Sequence, residues 1–192
     1  LGAQVEINGS ELTVTGISAQ SGSVVGLCGP DGQPAVDADG NPILHVGESG
    51  LLTRMMIPVM AQLSSGPVTF TGEKTLLNRP LTGAREIMEA FGAQISPLAT
   101  LGRNDKIGLG RNDITELGQN DNVLSDAPLS VPLAVSGPLN AGRIEISGKH
   151  GSQLISGLLM ALPFAEKNSQ LVVHDPKSIP YMFITLEVLK KF

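Results

Sequence analysis

An internal repeat is the feature that most limits how this chain can fold. Residues 43–63 and 144–164 each read as a short apolar strand, then the pattern G-x-x-G, then an apolar helix. Each copy continues as a β-rich stretch, a polar loop, a proline (Pro80 or Pro180) and an amphipathic helix. Regular alternation of strand and helix patterns is typical of α/β folds. The sequence therefore predicts two βαβα units about one hundred residues apart.

The predicted helices differ in how their apolar residues are arranged. Residues 51–63 and 154–162 are apolar nearly all round, which predicts helices buried on every side with strands outside them. Pro58 and Pro163 lie in these helices and predict a kink or an early end at each. The helix after Pro80 has one apolar face and is expected to end at Gly92. That face comprises Leu81, Ala84, Ile87, Met88 and Phe91.

Composition excludes several classes of protein. Thirteen Lys and Arg stand against eighteen Asp and Glu, and aromatic residues make up 3%, so the basic surface and stacking aromatics of a nucleic-acid binder are missing. No apolar run approaches the roughly 20 residues of a membrane span, and the single Cys28 cannot form an internal disulfide. We therefore expect a cytoplasmic globular protein with no nucleic-acid and no membrane partner.

A second, shorter repeat lies between the two units. The octapeptides LGRNDKIG, LGRNDITE and LGQNDNVL occupy residues 101–124, and Gly, Asn and Asp recur in step within them. These residues favour tight turns. Their acidic side chains are too sparse for the six to eight oxygen ligands that Ca²⁺ requires. We expect a surface insertion at 98–128 without a metal site.

The start of the helix at 154–162 is a candidate anion site. First-turn N–H groups of a helix lack intrahelical partners and carry a partial positive charge, so they attract anions. Gly151 allows close approach, while Ser152 and Gln153 add side-chain donors. An alternative is that Gly151 and Ser152 merely cap the helix.

Four sequence blocks resemble those of the 5-enolpyruvylshikimate-3-phosphate synthase family. GSQLISGLLMALPFA is similar to S-S-Q-x-x-S-A-L-L-M-x-A-P-L-A, and GESGLLTR to G-N-A-G-T-x-M-R. TGEKTLLNRPL is similar to T-G-x-x-x-x-x-x-R-P-I, and KSIPYMFITLEVLKKF to S-K-P-Y-x-x-I-T-L-x-L-M-K-x-F. The blocks occur in family order along almost the whole chain.

The resemblance implies an α/β fold of repeated βαβαββ units with buried helices beneath four-stranded sheets. It implies the tail of a first repeat at 1–42, a second repeat at 43–141 and a truncated third repeat at 142–192. The family's P-x-S-K-S motif and second domain are missing, the chain starts at Leu1, and LEVLKKF lacks a helix-ending signal. We expect a piece of a longer protein, most of an N-terminal domain, that is inactive alone.

The function implied by the resemblance is transfer of the enolpyruvyl group of phosphoenolpyruvate to the 5-hydroxyl of shikimate 3-phosphate, with release of phosphate. Neither a metal nor an organic cofactor is implied, and the complete protein is expected to be a monomer. The shikimate phosphate would be held by Gly151, Ser152, Gln153 and Ser178, with Tyr181 near the ring.

Phosphoenolpyruvate would be held by Gly50 and Arg79, with Arg54 as a second nearby cation and Gln153 between the two substrates. A guanidinium suits this role because its fork can bind a carboxylate or phosphate in a bidentate manner. Taken without the other blocks, Arg79 could equally be a surface residue.

The chain departs from the family pattern at four positions. Glu48 replaces Asn, Leu51 replaces Thr, Gly151 replaces Ser and Ile179 replaces Lys. A carboxylate at Glu48 would repel an anionic substrate at short range, so Glu48→Asn is expected to lower the KM for phosphoenolpyruvate. Loss of the hydroxyl at Gly151 would remove one phosphate donor.

Three alternatives to this function remain. The enzyme that transfers enolpyruvyl to UDP-N-acetylglucosamine shares the fold, but it has Cys or Asp in the loop before the Arg-Pro pair, and EKTLLN has neither. A non-catalytic relative that binds a phosphate ligand, or only packs against a partner, would also explain the altered positions. A purely structural module is the third alternative, but it would retain Arg79, Gln153 and Ser178 only by accident. His45 and His174 fall in strand patterns and suit a structural role; His150, beside the phosphate site, merits a test.

Overall fold

A computed structural model of the chain describes residues 4–9, 11–15, 35–98 and 128–191. The octapeptide repeat at 101–124 and Cys28 lie outside these ranges. The strands and helices, in chain order, are β1 Gln4–Asn8, β2 Glu11–Thr15, β3 Ile43–His45, α1 Gly50–Leu63, β4 Val68–Thr71, α2 Ala84–Ala90, β5 Gln94–Pro97, β6 Leu133–Ser136, β7 Arg143–Ser147, α3 Gln153–Ala161, β8 Gln170–His174 and α4 Ile179–Leu189. Within the described ranges, no helix is both long and apolar enough to cross a lipid bilayer.

The first of the two predicted units folds as βαβαββ. Its four strands form one sheet in the order β3-β4-β6-β5, with β3 parallel to β4 and the other neighbours antiparallel. Helix α1 connects β3 to β4, as a parallel pair requires, and α2 lies between β4 and β5 in the chain. The predicted mixed fold, with helices packed on a four-stranded sheet, is confirmed.

The second predicted unit contains the order βαβα. Strands β7 and β8 are parallel, α3 connects them, and α4 follows. Strands β1 and β2 form a separate antiparallel hairpin near the start of the chain. Because both units place a helix start at the carboxyl end of their first strand, corresponding loops of the two units can meet.

Helices α1 and α3 pack side by side in the core, as predicted. Gly157 allows this close approach, since a Cβ there would collide with the backbone of Met55 and the ring of Pro58. The second half of α1 and most of α3 are buried. The prediction of burial on every side is wrong for the first turn of α1, where Leu51 is 53% and Leu52 is 41% exposed.

The observed ends of the helices agree only in part with those predicted from the sequence. The predicted apolar face of α2 is buried, and Gly92 follows the helix with a φ of +71°, which suits glycine. The helix begins at Ala84, after Gly83 in the left-handed region, and not directly after Pro80. Helix α3 gives way at Ala161 to a 3-10 turn that contains Pro163, whereas α1 continues past Pro58 to Leu63.

Helix α4 differs from its predicted amphipathic character. Only Met182 is buried, while Phe183 is 60% and Ile184 is 56% exposed. Its apolar residues are distributed nearly all round the helix. The described part of the chain therefore leaves apolar surface of α4 open to solvent.

Candidate functional site

A cavity of about 660 Å³ opens between the two units, at the starts of α1, α3 and α4. Its wall is formed by elements that are far apart in the chain. Seven of the nine predicted binding residues line it: Arg54, Arg79, Gly151, Ser152, Gln153, Ser178 and Tyr181. The structure thus brings together residues that were predicted from separate motifs.

Two arginines form the cationic part of the wall. The Arg54 guanidinium donates to the carbonyl oxygen of Gly50 at 3.1 Å and to that of Pro80 at 2.8 Å. Burial, followed by repulsion from Arg79, lowers the pKa of Arg54. No carboxylate within the described ranges lies within ion-pair distance of Arg79. An anion between the two guanidinium groups would relieve their repulsion.

Gly50 makes the close approach of these two arginines possible. A Cβ on Gly50 would lie 3.0 Å from Nη1 of Arg54 and 3.1 Å from Nη1 of Arg79. A side chain at this position would therefore displace at least one guanidinium. Gly50 is not part of the cavity wall, but it borders the two arginines through these contacts.

The start of α3 supplies neutral donors. The carbonyl oxygen of Ser152 accepts the first helical hydrogen bond, from Ser156 N at 2.8 Å, but its side chain makes no capping bond. Ser152 is only 6% exposed, and it lines the cavity. Gly151 before it has a φ of +106°, a conformation that L side chains rarely adopt. Hydroxyl and helix-start donors therefore remain at the cavity wall.

Helix α4 provides the third side of the cavity. Ser178 precedes the helix in the left-handed region, with a φ of +57°, and Tyr181 is 65% exposed. Thr185 donates a hydrogen bond to the Ser156 hydroxyl at 3.0 Å, which ties α4 to α3. This hydrogen bond links the two helices within two turns of their serine-bearing starts.

Glu48 lies apart from this arrangement. Its carboxylate accepts a hydrogen bond from Lys74 Nζ at 2.9 Å and one from the Thr75 hydroxyl at 3.4 Å. It is not part of the cavity wall. The charge at Glu48 is therefore compensated by Lys74 and is not presented alone to a ligand.

Four further residues line the cavity that were not singled out from the sequence, although three of them stand at fixed positions of the quoted motifs: Met55, Ser156, Ile184 and Thr185. Each lies one residue or one helical turn from a residue that was predicted. Met55 adjoins Arg54, Ser156 follows Gln153 by three positions, and the other two follow Tyr181 by three and four. Helical spacing from the motif residues would have indicated them.

The histidines divide as the sequence suggested. His45 contacts Thr71 Oγ1 and Glu73 Oε1, each at 3.0 Å, and His174 contacts Glu145 Oε2 at 2.9 Å, so both rings are hydrogen-bonded, as predicted. His150 lines the cavity. Within the part of the chain that the structure describes, no group of three or more His, Cys, Asp or Glu is arranged to hold a metal ion.

The sequence of this chain matches a known protein family over most of its length. The sequence matches the family described as EPSP synthase (3-phosphoshikimate 1-carboxyvinyltransferase) over residues 4–102 and 116–192. The chain belongs to this family. The matched residues include every member of the cavity wall, so the site lies within family sequence throughout.

Curated relatives in the EPSP synthase family match most of this chain. The 3-phosphoshikimate 1-carboxyvinyltransferase of Halorubrum lacusprofundi is 32% identical over 165 residues, which is 85% of this chain and 30% of the relative. That of Methanococcus maripaludis strain C6 is 29% identical over 151 residues, or 78% of this chain and 29% of the relative. The enzyme from Methanococcoides burtonii is 26% identical over 192 residues, which cover 100% of this chain and 35% of the relative. The chain thus spans about a third of the length of these relatives.

Solved structures agree on the fold. EPSP synthase from Acinetobacter baumannii superposes with a TM-score of 0.55 at 19% sequence identity, covering 92% of this chain and 30% of that one. At this identity the likeness supports the enolpyruvyl transferase fold of the EPSP synthase family and nothing finer.

Proposed function

We propose that the complete protein is a 3-phosphoshikimate 1-carboxyvinyltransferase of the shikimate pathway, which leads to the aromatic amino acids. In this reaction a bond forms between the 5-oxygen of shikimate 3-phosphate and the enolpyruvyl carbon of phosphoenolpyruvate, and the bond from that carbon to the phosphate oxygen breaks. The hydroxyl proton is released and inorganic phosphate leaves. The observation that carries the proposal is the meeting of Arg54, Arg79, Ser152 and Ser178 around one cavity in a chain of this family.

The chemistry of the wall suits two anionic substrates. Its described residues include two guanidinium groups, several neutral donors and no Asp or Glu. We assign the phosphate of shikimate 3-phosphate to the side formed by Gly151, Ser152, Gln153 and Ser178, with the ring near Tyr181. Phosphoenolpyruvate is assigned to the side of Gly50, Arg54 and Arg79, with Gln153 between the two. A fork-shaped cation beside hydroxyl donors is a combination that binds carboxylate and phosphate well.

The contribution of these residues is binding, orientation and charge neutralisation. The cations of the wall offset the repulsion between two anions held side by side. Holding both substrates in one orientation also replaces a bimolecular encounter by an oriented one. The proposal includes residues 1–42, 43–141 and 142–192 as parts of three successive repeats of the fold. It also includes a cytoplasmic, monomeric protein that needs no metal or organic cofactor.

An assay of the complete protein tests the proposal. Phosphate release from phosphoenolpyruvate should depend on shikimate 3-phosphate, and the product should carry the enolpyruvyl group on the 5-oxygen. Release that depends instead on UDP-N-acetylglucosamine would identify the related cell-wall enzyme. Binding of shikimate 3-phosphate without turnover by the complete protein would identify a non-catalytic relative, and either result would overturn the proposal.

A further inference from the structure

His150 lies in the wall of the cavity, but neither motif analysis nor the assignment of substrates gave it a role. It stands immediately before Gly151 and Ser152, which lead into α3. It shares the cavity wall with both arginines. It is exposed, and no hydrogen bond joins its ring to another of the described residues.

The imidazole ring lies against a glycine of the other unit. A Cβ on Gly83 would lie 2.6 Å from Cδ2 and 2.9 Å from Cγ of His150. Gly83 precedes α2 with a φ of +79°, so both its conformation and its contact with the ring favour glycine. The Cδ2–Cγ edge therefore rests against Gly83, and the side of the ring that carries Nδ1, Cε1 and Nε2 is turned away from it.

The neighbouring Gly151 explains why a donor is useful at this point. Gly151 has no hydroxyl, and its φ of +106° would strain a serine, although open space surrounds the position. The backbone of this turn is thus suited to glycine. A further side-chain donor, in place of the hydroxyl that Gly151 lacks, must therefore come from a neighbouring residue.

We propose that His150 is an additional oxyanion ligand of this cavity, and that its protonated imidazole couples anion binding to proton uptake. The inference rests on the proposed function, because it concerns the same phosphate-binding wall. Imidazole is the side chain whose charge ordinarily changes between about pH 5 and 8. The imidazolium form offers two N–H donors and a positive charge, whereas the neutral form offers one donor.

The surrounding charges set the direction of this coupling. The ionisable groups of the cavity wall are Arg54 from α1, Arg79 from the segment before α2, and Tyr181 from α4, with Lys149 adjacent in the chain. A bound dianion favours the positive charge of the imidazolium form, so anion binding and protonation of the ring should favour each other.

Sulfate is the appropriate probe for the 192-residue chain. It keeps its double charge across neutral pH, whereas a phosphate monoester takes up a proton near pH 6 and would confuse the result. The dissociation constant is read from NMR shifts of the Gly151, Ser152 and Gln153 amides. Sulfate should bind about tenfold more tightly at about pH 5.5 than at about pH 8.

Two variants separate His150 from the other histidines. His150→Gln keeps a neutral donor and should bind sulfate with nearly the same affinity at both pH values. His174→Gln is the matched control, because His174 pairs with Glu145 on β7 and does not line the cavity. It should retain the pH dependence of the unmodified protein. If His150→Gln retains that dependence as well, the inference is wrong.

A measurement on the unmodified protein does not depend on the folding of any variant. The Cε1 proton of His150 reports its titration, and saturating sulfate should move the midpoint to higher pH. An unmoved midpoint, with sulfate bound near Ser152, overturns the role of His150 and leaves the anion site of the proposed function intact. Absence of any sulfate shift at Gly151–Gln153 at both pH values would remove the anion site and this inference together.

Discussion

The starts of α1 and α3 follow the same G-x-x-G pattern but differ in how their donors are used. In α1 the Ser49 hydroxyl accepts from Leu52 N at 3.1 Å, and the Ser49 carbonyl oxygen accepts from the Thr53 hydroxyl at 2.7 Å. In α3 the Ser152 side chain makes no capping bond and lines the cavity. The Ser49 side chain therefore caps α1, whereas the Ser152 side chain does not cap α3.

This difference shows how an internal repeat can supply two unlike halves of a site. In α1 the Ser49 hydroxyl occupies one first-turn N–H, and this side of the cavity contributes positive charge through Arg54 and the nearby Arg79. The α3 side contributes hydroxyl and backbone donors instead. A cap residue that is not used as a cap therefore indicates the side on which a ligand is expected.

The largest expected effect concerns whether the two helix starts suffice for catalysis. The 192-residue chain, assayed alone, should bind oxyanions weakly and show no transferase activity. It spans about a third of the length of its curated relatives, and under the proposed function we expect the rest of the complete protein to help exclude water and orient both substrates. Loss of such positioning removes many powers of ten in rate. Phosphate release dependent on shikimate 3-phosphate at an ordinary enzymic rate by this chain would contradict the expectation.

Removing a cation from the α1 side should have the next largest effect. Arg79→Ala in the complete protein should lower kcat/KM for phosphoenolpyruvate by roughly a hundredfold, since two charge-assisted hydrogen bonds are worth about 3 kcal/mol. Arg79→Lys should recover only part of this loss, because an ammonium cannot replace the guanidinium fork. Arg143→Ala is the matched control: Arg143 pairs with Glu145 on β7 and lies outside the cavity. Equal losses for Arg79→Ala and Arg143→Ala would contradict a local role for Arg79.

A pair of serine variants tests the comparison of the helix starts directly. Ser49→Ala should lower the free energy of unfolding by about 1 kcal/mol through loss of a cap, with little effect on sulfate affinity. Ser152→Ala should weaken sulfate binding by about tenfold and leave stability nearly unchanged, since no capping bond is lost. Denaturant unfolding and NMR titration measure the two quantities. If both variants lose stability and neither loses affinity, Ser152 is a cap and the anion site is wrong.

The sequence predicted which residues meet better than it predicted how they are used. Gly50, Arg79, Ser152 and Tyr181 meet because strand ends and helix starts fix their backbones, and these follow from apolar periodicity and glycine positions. The use of each serine depends on local torsions that no pattern specifies. Ser49 has the extended ψ of 97° that aims a side chain at the first turn, whereas Ser152 has ψ of −12° and does not cap its helix.

Two other outcomes depended on contacts between distant residues. The pairing of Glu48 with Lys74 spans twenty-six positions and involves a lysine at a φ of +47°. Such a backbone conformation is uncommon in a residue other than glycine, and no sequence pattern indicated it. The exposure of α4 depends equally on what packs against it, which the helix's own composition does not specify.

Glu48 offers a smaller test of the α1 side. Glu48→Asn in the complete protein should lower the KM for phosphoenolpyruvate, but by no more than about threefold, because Lys74 already neutralises the carboxylate and both side chains are substantially exposed. Lys74→Met should raise the KM by a similar factor, since it leaves Glu48 without its partner. The double variant should resemble Glu48→Asn. A large fall in KM for the single Glu48 variant would mean that its charge reaches the substrate in spite of Lys74.

The smallest effect compares a carboxylate in the segment before β3 with one on β7 as the pH falls. Burial raises the pKa of Asp37, but hydrogen bonds from Thr69, Asn41 and Asp39 outweigh it, so the pKa lies below its ordinary value of 3.8. The hydrogen bond from His174, followed by the contacts with Arg143, lowers the pKa of Glu145 on the exposed face of β7.

A depressed pKa in the folded state means that the stabilisation is present above the ordinary pKa and is lost as pH falls through the folded one. Asp37 ties the segment before β3 to β4, with Thr69 Oγ1 donating at 2.7 Å, and Asp37→Asn should lower the free energy of unfolding by about 1 kcal/mol near pH 7. That difference from the unmodified protein should shrink as the pH falls below 3.8 and through the lower pKa of the folded state, because the carboxyl then becomes neutral, like the amide of Asn. Glu145→Gln should show the same direction with a smaller change, since solvent screens its contacts. Urea unfolding at several pH values measures both, and a difference for Asp37→Asn that is constant down to the lowest pH would contradict the assigned ionisation of Asp37.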